Sequence, residues 1–313
     1  MRDDGPVVVL AGGTGGAKLA RGLLEVFGAE NLVVVANTAD DVEAHGGYVS
    51  PDPDLCTWWL ADLIDERGWG LRDDSFAVMD GLRALGVDVW FNLGDRDLAV
   101  CLERKRRLDA GERLTDVQSD LARAFGVVAA VLPMSDQPVQ TWVRAGGAWH
   151  PFQEFMIRHG GASADPPVVD GVDLRGIEGA EATPEVLGAI GRARVVIVGP
   201  SNPVISIGPI LRLRGVHEAL LNTAAPVVAV SPLVAGRSVK GPTEAFLTWS
   251  GAEISAAGVA SLYGDVLDGI VCDEASAGSL PVAQTDTMMD DAGARRRVAT
   301  ETVAFAASLP ASP

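Results

Sequence analysis

Hydrophobic positions along the chain fall into seven short, continuous apolar runs, each ending in polar or glycine-rich residues. Continuous runs of this kind indicate strands that are covered on both faces, as in a parallel sheet, whereas alternating runs indicate strands with one exposed face. The pattern therefore predicts seven strands of a mainly parallel sheet, within residues 6–13, 31–41, 89–97, 127–136, 194–203, 226–236 and 268–274.

Helix-like stretches lie between several of these runs. They cover residues 17–27, 55–66, 74–85, 98–108, 115–125, 216–222 and 255–263. Strand, turn and helix in alternation are typical of a doubly wound, Rossmann-like α/β fold. Such a fold binds ligands outside the carboxyl ends of its strands, so we expect the polar ends of the runs to share one cleft.

The middle of the chain has a different pattern. Residues 137–152 predict a β-hairpin around a Gly-Gly turn, and residues 160–183, which are rich in Gly, Asp and Pro, predict a loop. We therefore expect a Rossmann-like core built from residues 1–64 and 191–313, with an inserted helical and hairpin subdomain at 65–190.

The first apolar run ends in the glycine-rich turn GGTGG, residues 12–16, and a helix carrying Lys18 follows. Successive glycines let backbone N–H groups approach a ligand, and the positive end of the helix favours an anion. The turn fits neither the dinucleotide fingerprint, which has glycine where Lys18 stands, nor the P-loop, which has Ser or Thr after its lysine. It predicts a phosphate site, with a tight turn that binds nothing as the alternative.

Charge and cysteine content narrow the class of protein. The 313 residues carry a formal net charge of −17, which argues against a general binder of nucleic acid or of anionic membranes. The three cysteines form no C-x-x-C pair, and no apolar run is long enough to cross a bilayer. Because no signal peptide precedes the first run, we expect a cytoplasmic protein.

Acidic residues follow the second apolar run and recur in a proline-stiffened loop. Asn37 precedes the pair Asp40-Asp41, and Asp52 and Asp54 belong to the loop SPDPD. Paired carboxylates can bind Mg²⁺, hold a sugar hydroxyl or act as a general base. The alternative is that Asp40 and Asp54 only cap a turn and a helix.

Two further motifs stand at predicted strand ends. Arg96 lies between the aspartates of GDRD, where we favour a bidentate phosphate contact over a self-contained ion cluster. Ser201 and Asn202 in GPSNP, followed by Ser206, offer groups that could hydrogen-bond a ligand. Ser201 is not in a G-x-S-x-G elbow, so no serine nucleophile is predicted.

Eight motifs occur in order along the chain: AGGTGGAK, NTADD, SPDPD, LGDRDLA, LPMSD, HPFQEF, GPSNPVISIGPI and AVSPLVAG. Together, over about residues 6–290, they resemble the 2-phospho-L-lactate transferase family, whose members build the deazaflavin coenzyme F-420. The resemblance implies a Rossmann-like fold, a homodimer and an Mg²⁺ cofactor. It also implies two substrates, the deazaflavin alcohol 7,8-didemethyl-8-hydroxy-5-deazariboflavin and a guanosine diphospho-linked three-carbon acid.

The reaction implied by the resemblance moves the phospho-three-carbon acid to the ribityl hydroxyl of the deazaflavin and releases GMP. The acid would be 2-phospho-L-lactate or phosphoenolpyruvate, or 3-phosphoglycerate in some relatives. Such a transfer needs charge neutralisation and positioning more than a protein nucleophile. Carried over by motif, the residues that hold the guanosine diphosphate would be Gly12, Gly13, Thr14, Gly15, Lys18, Ser201, Asn202 and Ser206.

The remaining predicted site residues also come from the resemblance. The deazaflavin would be held by Asn37, Asp41, Asp54 and Arg96, and Mg²⁺ by Asp52 and Asp54. Asp54 and Arg96 would be catalytic, Asp54 by orienting or deprotonating the hydroxyl and Arg96 by offsetting developing charge.

Two other classes compete with this interpretation. A non-enzymatic UDP-sugar-binding regulator can share the first turn, but such proteins typically carry ADDGGSSG after the second strand, whereas VEAH follows the Asp40-Asp41 pair here. A nicotinamide-dependent oxidoreductase is disfavoured by Lys18 in place of the third glycine of the fingerprint.

Overall fold

The computed structural model describes residues 5–163 and 166–310. The strands are β1 (Val7–Ala11), β2 (Leu32–Ala36), β3 (Val42–Ala44), β4 (Gly47–Val49), β5 (Ala130–Pro133), β6 (Gln140–Ala145), β7 (Ala148–Pro151), β8 (Val169–Arg175), β9 (Val195–Val198), β10 (Val227–Val230), β11 (Leu233–Val234), β12 (Arg237–Ser238), β13 (Gly269–Cys272) and β14 (Val282–Gln284). The helices are α1 (Gly13–Phe27), α2 (Pro51–Leu60), α3 (Ala77–Ala84), α4 (Asp95–Asp109), α5 (Leu114–Ala124), α6 (Phe152–Arg158), α7 (Pro184–Arg192), α8 (Gly208–Arg212), α9 (Val216–Asn222), α10 (Thr243–Ser250), α11 (Ala256–Tyr263) and α12 (Ala292–Ser308).

The central sheet has seven strands in the order β14-β13-β10-β9-β1-β2-β5, and every neighbouring pair is parallel. The chain builds one half outward from β1 through β2 to β5, then returns to β9 and builds the other half. This order confirms the predicted doubly wound, Rossmann-like α/β fold. The strand order reverses between β1 and β9, which is where such folds bind ligands.

Both faces of the sheet are buried because side chains alternate along each strand. On one face, Val8 and Leu10 of β1 pack into a core with helices α7, α9 and α11. On the other, Val7 and Val9 pack with α1, α2 and α12. Continuous β-branched runs therefore became strands with helices on both sides, as the apolar pattern predicted. Within the described ranges, no helix has both the length and the apolar character needed to span a membrane.

The prediction of a strand at 89–97 is wrong. Residues 89–94 form no strand, and helix α4 begins at Asp95. The carboxylate of Asp74 accepts hydrogen bonds from the backbone N–H groups of Arg96 (2.9 Å) and Asp97 (3.1 Å). Because these donors have no acceptor within their own helix, Asp74 caps α4 and makes GDRD a helix start rather than a strand end.

The first aspartate of the GDRD motif in turn caps another helix. Asp95 accepts hydrogen bonds from the backbone N–H groups of Ala77 and Val78, and it thereby caps helix α3. Gly94 allows the two caps to approach, since a Cβ there would lie 2.1 Å from Asp74 Oδ2. Two of the four GDRD residues therefore have a structural explanation that the sequence did not indicate.

The hairpin predicted at 137–152 is confirmed as β6 and β7, which pair antiparallel around Gly146-Gly147. The loop predicted at 160–183 is wrong in part, because β8 pairs antiparallel with β6 and completes a three-stranded sheet. Buried residues recur along β8 at Val169, Gly171 and Leu174, and its register with β6 shifts between Arg144 and Ala145.

The proposed division of the chain into a core and a subdomain remains a prediction. One strand within the proposed range 65–190 nevertheless belongs to the central sheet, since β5 pairs parallel with β2 and forms an edge. The apolar run that gave β5 predicted a strand correctly, but it did not show which sheet the strand would join.

Candidate active site

A cavity of about 580 Å³ lies at the carboxyl ends of β1, β9 and β10, at the switch point of the sheet. Its floor is the glycine-rich turn, and one wall is helix α6, which follows the hairpin of the smaller sheet. Predicted site residues in its lining are Gly12, Gly13, Thr14, Gly15, Lys18, Asp52, Ser201, Asn202 and Ser206. The structure thus brings together all eight residues predicted for the guanosine diphosphate, with one of the two predicted for the metal.

The glycine-rich turn presents the start of helix α1 to the cavity. The helix begins at Gly13, four residues earlier than predicted, and Gly13 takes a left-handed conformation with φ of 65°. The Gly12 N–H donates to Ser201 Oγ (3.2 Å), and the Gly13 N–H donates to Asp52 Oδ1 (2.6 Å). The positive end of helix α1 faces the cavity, where an anion would lie.

Replacing Gly15 by alanine is expected to lower the free energy of unfolding by about 1–3 kcal/mol, because overpacking strains a closely packed site. A Cβ on Gly15 would lie only 2.0 Å from the carbonyl oxygen of Pro200. Urea denaturation of the variant measures the loss. Gly81→Ala in helix α3, where a Cβ meets open space, is the control and should be neutral or slightly stabilising. Equal stability of both variants would contradict the argument.

Asn202 carries a free hydrogen-bond donor on the cavity wall. Its Oδ1 accepts from the backbone N–H groups of Val204 (2.9 Å) and Ile205 (3.2 Å), which start a π-helical turn at Pro203–Ile207. Its Nδ2 is buried and has no hydrogen-bond partner within the described part of the chain. A buried donor of this kind is normally satisfied, so the amide is available to a ligand.

Two carboxylates, Asp40 and Asp52, share the cavity lining. Asp52 accepts from the Gly13 N–H and from Asn37 Nδ2 (3.0 Å), and burial raises its pKa to about 6 against these bonds. Burial and then the charge of Asp52 raise the pKa of Asp40 well above its usual range. Asp40 Oδ1 is buried and unpartnered among residues 5–163 and 166–310. From the sequence, the pair Asp40-Asp41 was a possible ligand for a cation or a hydroxyl, with a cap by Asp40 as the alternative, and Asp40 was not among the predicted site residues.

This pair fits a hard divalent cation. Its donors are oxygen atoms, one of them buried without a partner in the described part of the chain, and the charge of Asp52 makes ionisation of Asp40 less favourable. A cation between them would satisfy the orphaned oxygen and offset the repulsion, and Mg²⁺ prefers such ligands.

Two of the three lysines of the chain reach the same cavity, Lys18 and Lys240. Burial, and also Arg295, lower the pKa of Lys18, while Asp290 opposes this; burial and then Lys18 lower the pKa of Lys240. Two ammonium groups in one cavity, one of which lowers the pKa of the other, are complementary to an anion. Lys240 was not predicted as a site residue, since it lies beyond a short hairpin rather than directly after a strand.

Asp54 is placed differently from Asp52. The buried guanidinium of Arg104 binds both of its carboxylate oxygens, Nη1 to Oδ2 at 3.1 Å and Nη2 to Oδ1. Burial raises the pKa of Asp54, while Arg104 opposes that shift. Asp52 and Asp54, two residues apart at the start of α2, therefore contact different parts of the molecule, the glycine-rich turn and helix α4.

A second group of possible metal ligands surrounds Asp54. Asp54, Asp97 and Cys101 each place one ligand atom within 4.8 Å of the others. Burial and the charge of Asp54 raise the pKa of Asp97 to about 7, and burial raises the pKa of the Cys101 thiol. This set suits Mg²⁺ less well than Asp40 and Asp52, because it includes a protonated thiol and a carboxylate already paired with Arg104.

The other residues predicted for the deazaflavin lie around the cavity rather than in its lining. Asn37 donates to Asp52, and Asp41 accepts from Ser50 Oγ at 2.9 Å; both are buried. Arg96 is exposed at the start of α4, and its Nη1 donates to the carbonyl of Arg72 (3.1 Å). Of the four residues predicted for the deazaflavin, only Arg96 has an exposed side chain; Asn37, Asp41 and Asp54 are buried.

The fold and the cavity together define a Rossmann-like α/β protein whose switch-point cavity is lined by a glycine-rich turn, two lysines and two carboxylates. The family described as 2-phospho-L-lactate transferase CofD matches residues 7–302. The chain belongs to this family and is therefore a transferase, which confirms the resemblance seen in the eight motifs.

Individual relatives agree with the assignment. The chain is 41% identical over 270 residues to a 2-phospho-L-lactate transferase of Methanosarcina mazei, covering 86% of this chain and 87% of the relative. It is 39% identical over 278 residues to a phosphoenolpyruvate transferase of Kitasatospora aureofaciens, covering 86% and 85%. A crystal structure of a UPF0052 family member from Bacillus halodurans has a similar fold, with a TM-score of 0.55, 18% identity and coverage of 91% and 89%.

Proposed function

We propose that this enzyme transfers a phospho-three-carbon-acid group from a guanosine diphospho-linked donor to the ribityl hydroxyl of 7,8-didemethyl-8-hydroxy-5-deazariboflavin, in coenzyme F-420 biosynthesis. It is a phosphotransferase that acts on substituted phosphate groups. The observation that carries the proposal is a single cavity in which donors for a diphosphate adjoin an acidic pair with an orphaned oxygen. The names of the relatives favour 2-phospho-L-lactate or phosphoenolpyruvate as the acid.

The nucleotide diphosphate is proposed to lie on the glycine-rich turn. The start of α1, Lys18 and Lys240 supply positive charge, and the free amide of Asn202 supplies a hydrogen bond. In the transfer, the hydroxyl oxygen forms a bond to the phosphorus that carries the acid. The bond from that phosphorus to the oxygen of GMP breaks, that oxygen departs with GMP and its bonding electrons, and the hydroxyl proton passes to the Asp52 carboxylate. The cationic groups offset the charge that develops on the departing GMP.

The proposed cofactor is Mg²⁺. Asp40 and Asp52 would hold it, in place of the pair Asp52 and Asp54 inferred from the sequence. When bound, the ion neutralises phosphate charge and polarises the phosphorus towards attack. Asp54 is proposed to act on the site indirectly, because its carboxylate is bound by Arg104.

Geometry favours Asp52 over Asp54 as the carboxylate that meets the acceptor hydroxyl. Asp52 lies in the cavity lining, and its pKa of about 6 leaves it mostly ionised at neutral pH and able to accept a proton. Arg96, exposed in the first turn of helix α4, remains the proposed contact for the deazaflavin.

The experiment that tests the function is product analysis by mass spectrometry. The purified enzyme is incubated with the deazaflavin alcohol, Mg²⁺ and competing guanosine-linked donors of phospholactate, phosphoenolpyruvate and phosphoglycerate. We expect one phosphodiester and one equivalent of GMP. A thermal-shift series with GDP plus Mg²⁺ against UDP-glucose provides a second readout, since a ligand that binds the native state raises Tm. Stabilisation by UDP-glucose alone, with no product, would overturn the proposal.

The oligomeric state and the cellular location are part of the proposal. We propose a homodimer in the cytoplasm, with GDP, GMP and the two substrates as its partners. Light scattering after size-exclusion chromatography should give twice the mass of 32.6 kDa, and a monomer at working concentration would contradict the dimer.

A further inference from the structure

Arg104 is the largest fully buried side chain of the described protein, and the transfer chemistry does not use it. From helix α4 its Nη1 donates to the Tyr48 carbonyl (3.0 Å) and to Asp54, and its Nη2 donates to Asp54 and to Gln118 Oε1 (3.3 Å). The guanidinium therefore joins four elements, β4, α2, α4 and α5, at one point.

Stability alone is a weak reason for this arrangement. Removing two charges from water costs free energy that their attraction only partly returns, and a buried ion pair can often be replaced by apolar residues without loss. The bidentate geometry does fix the orientation of the Asp54 side chain, since a planar guanidinium binds both oxygens of its carboxylate. Gln118 extends the network by donating from Nε2 to Thr57 Oγ1 (3.0 Å), one turn further along α2.

The fixed carboxylate belongs to the same helical turn as Asp52. The Asp54 N–H bonds the Ser50 carbonyl (3.1 Å), so Asp52 and Asp54 move together as the first turn of α2. Asp52 has little room to shift, because a Cβ at Gly12 would lie 3.0 Å from Asp52 Oδ2 and because both Asp52 oxygens accept hydrogen bonds.

We propose that the Arg104–Asp54 ion pair is a positioning device that holds the first turn of α2 so that Asp52 stays against the glycine-rich turn. This inference rests on the proposed function, because it takes Asp52 to be a ligand of the cation that accompanies the diphosphate. Arg104 is a positioning residue in this scheme, and Asp54 acts through Asp52 rather than on the substrate.

The test uses the double variant D54L/R104M, which replaces the pair by apolar side chains, and the single variant R104K, which keeps the charge but cannot bind both oxygens. The control is R107Q, since Arg107 on the same helix pairs with Glu112 and Asp120 near the surface. Calorimetry measures the Kd of GDP with and without Mg²⁺, thermal unfolding measures Tm, and steady-state kinetics separates kcat from KM.

We expect D54L/R104M to unfold within a few degrees of the wild type, while the tightening of GDP binding by Mg²⁺ shrinks at least fivefold and kcat falls at least tenfold. R104K should also reduce both the Mg²⁺ effect on GDP binding and kcat, and R107Q should leave both unchanged. Unaltered Mg²⁺-dependent binding with normal turnover would show a purely structural pair and overturn the inference. Unaltered binding with lost turnover would assign chemistry to Asp54 itself and also overturn it.

If D54L/R104M does not fold, R104K provides the test. Normal Mg²⁺-dependent binding of GDP by R104K would overturn the inference. Failure of the proposed function is recognised separately. A wild-type protein that forms no product, or whose GDP affinity does not respond to Mg²⁺, contradicts the function before any variant is compared.

Discussion

Replacing Asp52 by asparagine is expected to lower kcat/KM by about 100- to 10,000-fold, the range for loss of a group that transfers a proton. Asparagine can still accept a hydrogen bond from Gly13, so the turn should keep its shape. It cannot carry the charge that a cation beside Asp40 requires, nor accept the hydroxyl proton at neutral pH. Single-turnover measurement at saturating substrates shows whether the loss lies in the chemical step.

Asp62→Asn provides the matched control for this prediction. Asp62 lies just after helix α2, is largely exposed and pairs only loosely with Arg72 at 3.8 Å. A change at an exposed ion pair should leave the rate within about twofold, because such pairs contribute little. If D52N kept near-normal turnover with tight substrate binding, the placement of Asp52 at the reacting groups would be wrong.

Removal of the Lys18 side chain is the second large effect. Lys18→Ala is expected to weaken GDP binding by about 10- to 100-fold, which corresponds to the loss of one charge-assisted hydrogen bond of about 1.5–3 kcal/mol. The chain offers its own control, since Lys105, the remaining lysine, is paired at the surface with Asp109 and lies on helix α4. Lys105→Ala should bind GDP normally, and equal losses in both variants would point to general electrostatics.

The pH dependence of GDP binding follows from the same lysines. Burial lowers the pKa of Lys18 and of Lys240, so each loses its proton at lower pH than an ordinary lysine. A bound diphosphate favours the protonated forms, so binding measured at a pH near those lowered pKa values should take up protons. We expect the affinity to fall as pH rises through the lowered pKa values. Calorimetry in buffers of different ionisation enthalpy measures the uptake, and a uniform enthalpy across buffers would contradict it.

The residues predicted for the nucleotide all line one cavity, whereas only one of the two residues predicted for the metal does. The glycine-rich turn and Lys18 are contiguous in the chain, so their chemistry is determined by local backbone geometry and could be read from the pattern. Asp52 and Asp54 are also close in sequence, but one faces the cavity and the other faces Arg104 on a helix 50 residues away. Sequence spacing contained no signal for that difference, and the predicted metal pair changed accordingly.

Local patterns determined the architecture of this protein. Continuous β-branched runs gave buried parallel strands because only strands covered on both faces can bury every side chain. The glycine-rich turn after β1 places the start of helix α1 at the cavity, where the anion site is proposed. Tertiary structure decided which polar groups at the strand ends have protein partners and which remain free. Arg104 binds Asp54, Asp74 accepts from the N–H groups of the GDRD helix, and Asp40, which lines the cavity, keeps a buried oxygen without a partner in the described part of the chain. Those outcomes depend on residues distant in the chain, because a buried polar group is satisfied by whatever the fold places within hydrogen-bond distance of it.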